Sequence, residues 1–236
     1  MRARERRVIK RIRLATRAAG VSAETFAAAW PGAVAAVPGA PPGVRPVRVA
    51  ACVTLPDLTG PDPRHDGASI EWFTDAAHLD RFQTWLGTAA RMPADEVLAD
   101  PAASPVIVAE ELVLRGADWL ERRWRAGGET PKQMAIAERA PGLTPAQFAE
   151  RWRDKAGQVR GTVIPDAARG RAYVQNHPRP RAVGDWAYDA VNEVYFDDAA
   201  GLRARIDWFR ENAPDPGGDD LFGPSWFIAA REVVLA

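Results

Sequence analysis

The sequence predicts an α+β chain of two βαββαβ halves, each an antiparallel four-stranded sheet with both helices on one face, the two sheets closing into one barrel with the helices outside. Three observations predict it. Landmarks recur: Gly20-Val21-Ser22, Phe26 and Trp30 return as Gly142-Leu143-Thr144, Phe148 and Trp152 at an offset of 122; Trp72-Phe73 and Trp85 return as Tyr195-Phe196 and Trp208 at 123; and Ala109–Leu114 returns as Ala230–Leu235 at 121. So small a drift over half the chain marks a repeated unit. Within each unit, short apolar runs and helical stripes follow in the same order. Finally, a sheet covered by helices on one side leaves its other face bare, and stacking the two bare faces buries both.

The first half, residues 1–117, reads as strands near Val8–Thr16, Val47–Leu55, Ala68–Phe73 and Val106–Leu114, with helices near Ala23–Ala36 and Ala76–Gly87. Residues 118–130 connect the halves, and Trp119, Leu120 and Trp124 give this stretch a helical pattern suited to packing along the barrel. The second half, residues 131–236, opens with Lys132–Arg139, whose apolar and polar residues alternate as in a strand. Pro141-Gly142 ends it. Thr144 is a good N-cap with Pro145 at the first helical position, and Phe148 and Trp152 follow one turn apart, so a helix is expected over Thr144–Val159. Arg171–His177 reads as a strand closed by the Pro178–Pro180 turn, and Ala190–Phe196 as the next. Its acidic end, Asp197-Asp198, is placed to cap a helix over Ala199–Asn212, whose Leu202, Ile206 and Phe209 share a face. Phe227–Leu235 closes the unit. This order is the split βαβ, or ferredoxin-like, arrangement, and two such halves give an α/β barrel.

Composition excludes several classes. Lys plus Arg equals Asp plus Glu, and no basic face or tail is large enough to suggest a nucleic-acid footprint; the basic start (Arg2, Arg4, Arg6, Arg7, Lys10, Arg11, Arg13) reads as the solvated lead into a first strand, the alternative being attraction of a polyanion. Cys52, the single cysteine, rules out an intrachain disulfide and lies in an apolar strand as a small buried hydrophobe. No apolar stretch approaches a membrane span, and no hydrophobic run follows the basic start as a secretion signal requires; the expected location is the cytoplasm. The histidines lack metal-ligand spacing, and no dinucleotide fingerprint, phosphate loop or Gly-x-Ser-x-Gly elbow is present. No metal or cofactor is expected.

The second half carries Arg139–Gly142 with Leu143-Thr144 and Phe148-x-x-x-Trp152, then Tyr173-Val174-Gln175-Asn176-His177, then Asp189-Ala190-Val191-Asn192-Glu193-Val194-Tyr195-Phe196-Asp197, and then Asp219-Asp220-Leu221-Phe222. The first half keeps Phe26, Trp30, Asp66-Gly67, Trp72-Phe73 and Asp95-Glu96. In this order the residues resemble the EthD family of dimeric α/β-barrel proteins, present as a tandem pair. The resemblance implies a barrel formed within one chain instead of between two, with a cavity between sheet and helices of a half. It also implies cofactor-independent oxidation, dehydration, cyclisation or decarboxylation of small organic molecules, in catabolism or aromatic polyketide tailoring. Many members carry a histidine four residues after the first-helix tryptophan; here those positions are Ala156 and Val34, so chemistry that relies on that histidine is in doubt for both halves.

The remaining titratable and aromatic residues set the candidates. His177 ends a strand, has Thr54 as its aligned counterpart, and titrates near neutrality, which suits proton exchange with a carbonyl or phenol; the alternative is a strand-end imidazole tied to a loop carbonyl. Glu193 in a partly dry site is expected to have a raised pKa and act as a base, unless an arginine pairs with it. Tyr173, Asn176, Tyr188 and Tyr195 are candidates to steady an oxyanion or hold a ligand, against core roles for each. Phe148 and Trp152 are either core or an aromatic wall for a flat ligand. Asp66 and Asp189 recur before the third strand of each half, which favours a turn or capping task, and His78 is expected to be exposed.

The leading functional reading is therefore a cofactor-independent enzyme acting on a small aromatic or carbonyl-bearing metabolite, with the second half as the working half. Its partner is a small molecule, with no nucleic acid and no membrane; pairing of two fused barrels stays open. The alternatives are a binding or scaffold barrel without turnover, and a haem barrel using His177.

Overall fold

Alternation along eight strands gives the molecule an inside and an outside, and that parity places the functional residues that lie on strands. The computed structural model describes residues 8–35, 40–60, 62–88, 97–153, 158–159, 162–212 and 221–235. The first half runs β1 (Ile9–Ala15), α1 (Ala23–Ala35), β2 (Arg48–Thr54), a one-turn α2 (Pro56–Thr59), β3 (Gly67–Phe73), α3 (Ala76–Thr88) and β4 (Val106–Arg115). After α4 (Ala117–Ala126), the second half runs β5 (Glu129–Arg139), α5 (Pro145–Arg153), a small hairpin of β6 (Gln158–Val159) and β7 (Thr162–Val163), a one-turn α6 (Asp166–Arg169), β8 (Ala172–Pro178), β9 (Ala190–Tyr195), α7 (Ala199–Asn212) and β10 (Phe222–Val234). The basic residues before Val8, Asp95-Glu96, Ala156 and Asp219-Asp220 lie outside the described residues.

The barrel closes in the order β1-β3-β2-β10-β5-β9-β8-β4, antiparallel throughout. Each half contributes its strands in the ferredoxin-like order fourth, first, third, second, and the seams are β2–β10 and β4–β8. Ile12, Ile70, Ile107, Met134, Ile136, Val191 and Ile228 point inward and fill the interior as one cluster. The connector helix α4 adds Leu120 and Trp124 to that cluster, so it covers one end of the barrel. Outside, α1 buries Phe26 and Trp30 on Val49, Ala51 and Val53, while α5 buries Phe148 and Trp152 beside Ala137 and Ala190.

Local chemistry sets the helix starts. Thr144 Oγ1 accepts from the backbone N–H of Gln147 at 3.3 Å and Gln147 Oε1 accepts from the Thr144 N–H at 2.9 Å, a reciprocal capping box. Asp75 and Asp198 cap α3 and α7 through the N–H groups of His78 and Gly201. Gly170, at φ +75°, turns the chain into β8 where an added Cβ would stand 2.6 Å from Val194 Cγ1.

Four expectations change. The helix expected over Thr144–Val159 is described over Pro145–Arg153, and Gln158–Val159 instead pairs with Thr162–Val163 in a two-stranded hairpin. The last strand begins at Phe222, across a register shift between Phe222 and Ser225 that hides its early part from a period-two reading. The counterpart of His177 is Val53 and not Thr54: Cys52 faces Ala68 while Asn176 faces Val191, which sets β8 one residue further along than the neighbouring offsets imply. His78 is buried, its Nε2 2.8 Å from the Arg45 carbonyl.

Candidate functional site

Strand parity separates the predicted site residues into three places. Asn176, Glu193 and Tyr195 point into the barrel; Tyr173 and His177 point outward beneath the second half's helices with Phe148 and Trp152; Tyr188 stands at the barrel mouth opposite α4.

The interior group is a charge network in which both oxygens of Glu193 are occupied, while Asn176 Oδ1 is left without a hydrogen-bond partner. Glu193 Oε1 accepts from Lys10 Nζ at 2.6 Å and Asn176 Nδ2 at 2.8 Å; Oε2 accepts from Lys132 Nζ at 2.6 Å and the Tyr195 hydroxyl at 2.8 Å. Lys10 also pairs with Glu111 at 2.6 Å and Lys132 with Glu232 at 2.5 Å. These two pairs occupy equivalent places in the halves, and Glu193 bridges them from the position where the first half has Ile70. Burial alone would push the Glu193 carboxyl up, but the ammonium groups of Lys10 and Lys132 outweigh it and hold the carboxyl well below its usual range. The expectation of a raised pKa and a basic role for Glu193 is thus corrected: both oxygens are occupied and the group holds its charge. The expected arginine partner is replaced by two lysines. Asn176 and Tyr195 serve this network, not a ligand beside His177.

At the mouth, His65 and Tyr188 meet from equivalent positions of the two halves, His65 Nε2 lying 2.9 Å from the Tyr188 hydroxyl and Nδ1 2.9 Å from Thr16 Oγ1. Thr16 spends its own hydrogen on a backbone carbonyl, that of Ala103 at 3.0 Å, so it accepts from Nδ1–H and leaves Nε2 to accept from Tyr188. Asp66 and Asp189 each clamp the arginine at the end of the first strand of their half, Arg17 and Arg139, through side chain and backbone, a structural task as expected.

The outward face of β8 is the candidate active site. Tyr173, Gln175 and His177 alternate along it and stand in one row. Gln175 Nε2 donates to the Trp152 carbonyl at 3.2 Å and to the Tyr173 oxygen at 3.3 Å, which turns Oε1 toward His177 Nε2 at 2.9 Å. Oε1 can only accept, so His177 carries its proton on Nε2 and presents a lone pair at Nδ1. That Nδ1 is buried without a hydrogen-bond partner, as are Asn192 Oδ1 and Arg115 Nε. Burial pushes the imidazole down to about 4, aided by the charge of Arg153 and opposed by Glu110, so the ring is neutral at physiological pH. Trp152 packs on it with ring centroids 4.6 Å apart, and Phe148 stacks behind Trp152. The first-half counterparts of Tyr173, Gln175 and His177 are Val49, Ala51 and Val53, apolar core under Trp30.

Gln175, Asn192 and Arg205 are not among the candidates that the sequence offers. Period-two alternation from His177 points to Gln175, whereas Arg205 reaches this face from α7 and carries no local signal. Among the described residues, no cluster of His, Cys, Asp and Glu has the geometry to hold a metal ion, and no helix is long and apolar enough to cross a membrane.

No family model and no curated protein matches the chain. Among solved structures, an anthrone oxidase-like protein superposes with a TM-score of 0.58 at 11% identity, covering 98% of this chain and 92% of that one. A chlorite dismutase from Candidatus Nitrospira defluvii superposes with a TM-score of 0.44 at 9% identity, covering 96% and 92%. The first likeness is one of fold.

Proposed function

We propose that the chain is a cofactor-independent enzyme that moves a proton on a small aromatic, carbonyl-bearing molecule, with His177 as the base and the second half as the working half. The observation that carries this reading is the buried, unpartnered Nδ1 of a neutral His177 whose tautomer Gln175 holds. A substrate C–H or phenolic O–H placed at Nδ1 would give up its proton there. The Tyr173 hydroxyl, which accepts from Gln175 and keeps its own hydrogen, would donate to the oxyanion that forms, and Trp152 would supply a flat wall. The EthD-like order of residues supports the same class of chemistry, and the anthrone oxidase-like neighbour suggests a probe.

Anthrone is a carbon acid whose methylene is conjugated through the flanking rings with the carbonyl across the central ring, and its oxidation balances as anthrone plus dioxygen giving anthraquinone plus water. The test follows deuterium exchange at its ring methylene by NMR, together with dioxygen uptake. The wild-type protein should accelerate exchange, and His177→Asn should lose about 10²–10⁴-fold of it while keeping its circular dichroism. Exchange at the buffer rate in the wild type rejects the proposal.

A second reading, a binding barrel without turnover, is favoured by the burial of Nδ1 and the closeness of Trp152 to the ring. Quenching of tryptophan fluorescence by anthrone without any exchange would select it. A Soret band in the purified protein would replace both readings with a haem barrel.

A further inference from the structure

We propose that the end of this face formed by Arg115 and Arg205 is an anion seat, and that the ligand is an aromatic molecule bearing a carboxylate or phenolate. The inference rests on the reading that the His177 face is the ligand site.

Arg205 is 7% exposed, and its hydrogen-bond partners are neutral: Nε donates to Gln133 Oε1 and Nη1 to the Ala168 carbonyl at 2.9 Å. Its guanidinium lies 4.5 Å over the Phe209 ring. Arg115 donates through Nη2 to the carbonyls of Arg169 and Gly170 and leaves Nε buried and unpartnered. Among the described residues neither arginine is in direct ion-pair contact with a carboxylate; the half-buried Arg115 feels the charge of Asp166, which Arg169 pairs with, whereas no carboxylate acts on the buried Arg205. A guanidinium taken out of water without a counter-charge is costly, and an incoming anion removes that cost.

The first half shows the arrangement that is missing. There Arg11 faces Glu71 across the β1–β3 ladder and pairs with it at 2.9 Å. The same rung of the β5–β9 ladder holds Gln133 and Val194, so the sheet supplies no carboxylate; the cation comes from α7, where the first half has Phe82. Burial pulls the Arg205 guanidinium down to about 10, opposed by Tyr173 and assisted by the nearby charge of Arg115. A negative ligand oxygen beside Tyr173 would satisfy both arginines. Asn192 Oδ1, unpartnered on the adjacent strand, suits a ligand hydroxyl next to that anion.

Tyr173 and His177 are four residues apart on one strand, which sets the span from anion seat to base at roughly 13 Å or less. An aromatic skeleton with an acidic substituent bridges it.

The test compares hydroxynaphthoate with its uncharged amide by fluorescence titration of the full chain. The acid should bind at least about tenfold tighter than the amide, a difference of ~1.4 kcal/mol. Arg115→Gln and Arg205→Met should abolish that preference, and Arg205→Lys should keep part of it. Equal binding of acid and amide, no binding of either, or a preference untouched in both variants overturns the seat. His177→Asn separates the two proposals. An anion preference retained there alongside unchanged exchange removes the base and keeps the seat; lost exchange in a protein that never preferred the acid does the reverse.

Discussion

Gln175 Oε1 lies 2.9 Å from His177 Nε2, and the amide that presents this oxygen is itself fixed by the Trp152 carbonyl and the Tyr173 hydroxyl. The glutamine therefore decides which imidazole nitrogen is free. Gln175→Glu places a carboxylate at the same distance and should raise the His177 pKa from about 4, moving the acid limb of the pH–activity profile upward. Gln175→Leu frees the ring and should lower the rate at every pH without moving that limb. A profile that stays in place in Gln175→Glu removes Gln175 as the positioning residue.

The two buried histidines also set how stability depends on pH. In the folded protein both His65 and His177 are pushed down to about 4 from an ordinary value near 6.5, chiefly by burial. Between these values the unfolded chain binds more protons, so stability is fully present above about pH 6.5 and falls as pH drops toward 4. The urea midpoint should be flat from pH 7 to 8 and decline between pH 6.5 and 4.5. In the double variant His65→Gln, His177→Gln that decline should shrink. A decline of the same size in the variant assigns it to other groups.

The fold was legible from the repeat because core aromatics and strand ends recur at nearly constant spacing and parity does the rest. The site was legible only in part. His177 stood out because it titrates and has no counterpart, but Asn176 and Glu193 were grouped with it although strand parity sends them into the barrel. Lys10, expected with the basic start to be solvated, and Lys132, which carries no signal of its own, are both fully buried, because strand parity turns them inward onto Glu111, Glu193 and Glu232. Arg205 enters from a helix, and only three-dimensional closure shows that it meets Gln133 and has no acidic partner.

Cys52 offers a check on the closed interior. Its thiol is fully buried, and burial pushes it up to about 12 against the opposing charge of Lys132. A thiol of that kind is neutral and shielded, so native protein at pH 8 should react with a disulfide reagent at least about 100-fold more slowly than protein in denaturant. Fast labelling of the native state would show that the barrel opens on the experimental timescale.

The interior network makes the sharpest energetic prediction. Two lysines and three glutamates share hydrogen bonds at less than about a tenth exposure, and Glu193 is held by one lysine from each half. Replacing Lys132 by Met leaves Glu193 and Glu232 facing each other without their common counter-charge, which should cost about 3–5 kcal/mol in urea unfolding. Glu193→Gln keeps the shape and relieves the excess of carboxylate over ammonium, so it should cost less than Lys132→Met. Lys132→Met combined with Glu232→Leu removes a pair instead of orphaning a partner, and should recover part of the loss although it deletes more polar contacts. If the double variant is as unstable as the sum of the two singles, the groups act independently and the barrel centre is not the coupled network that the hydrogen bonds of Glu193 describe.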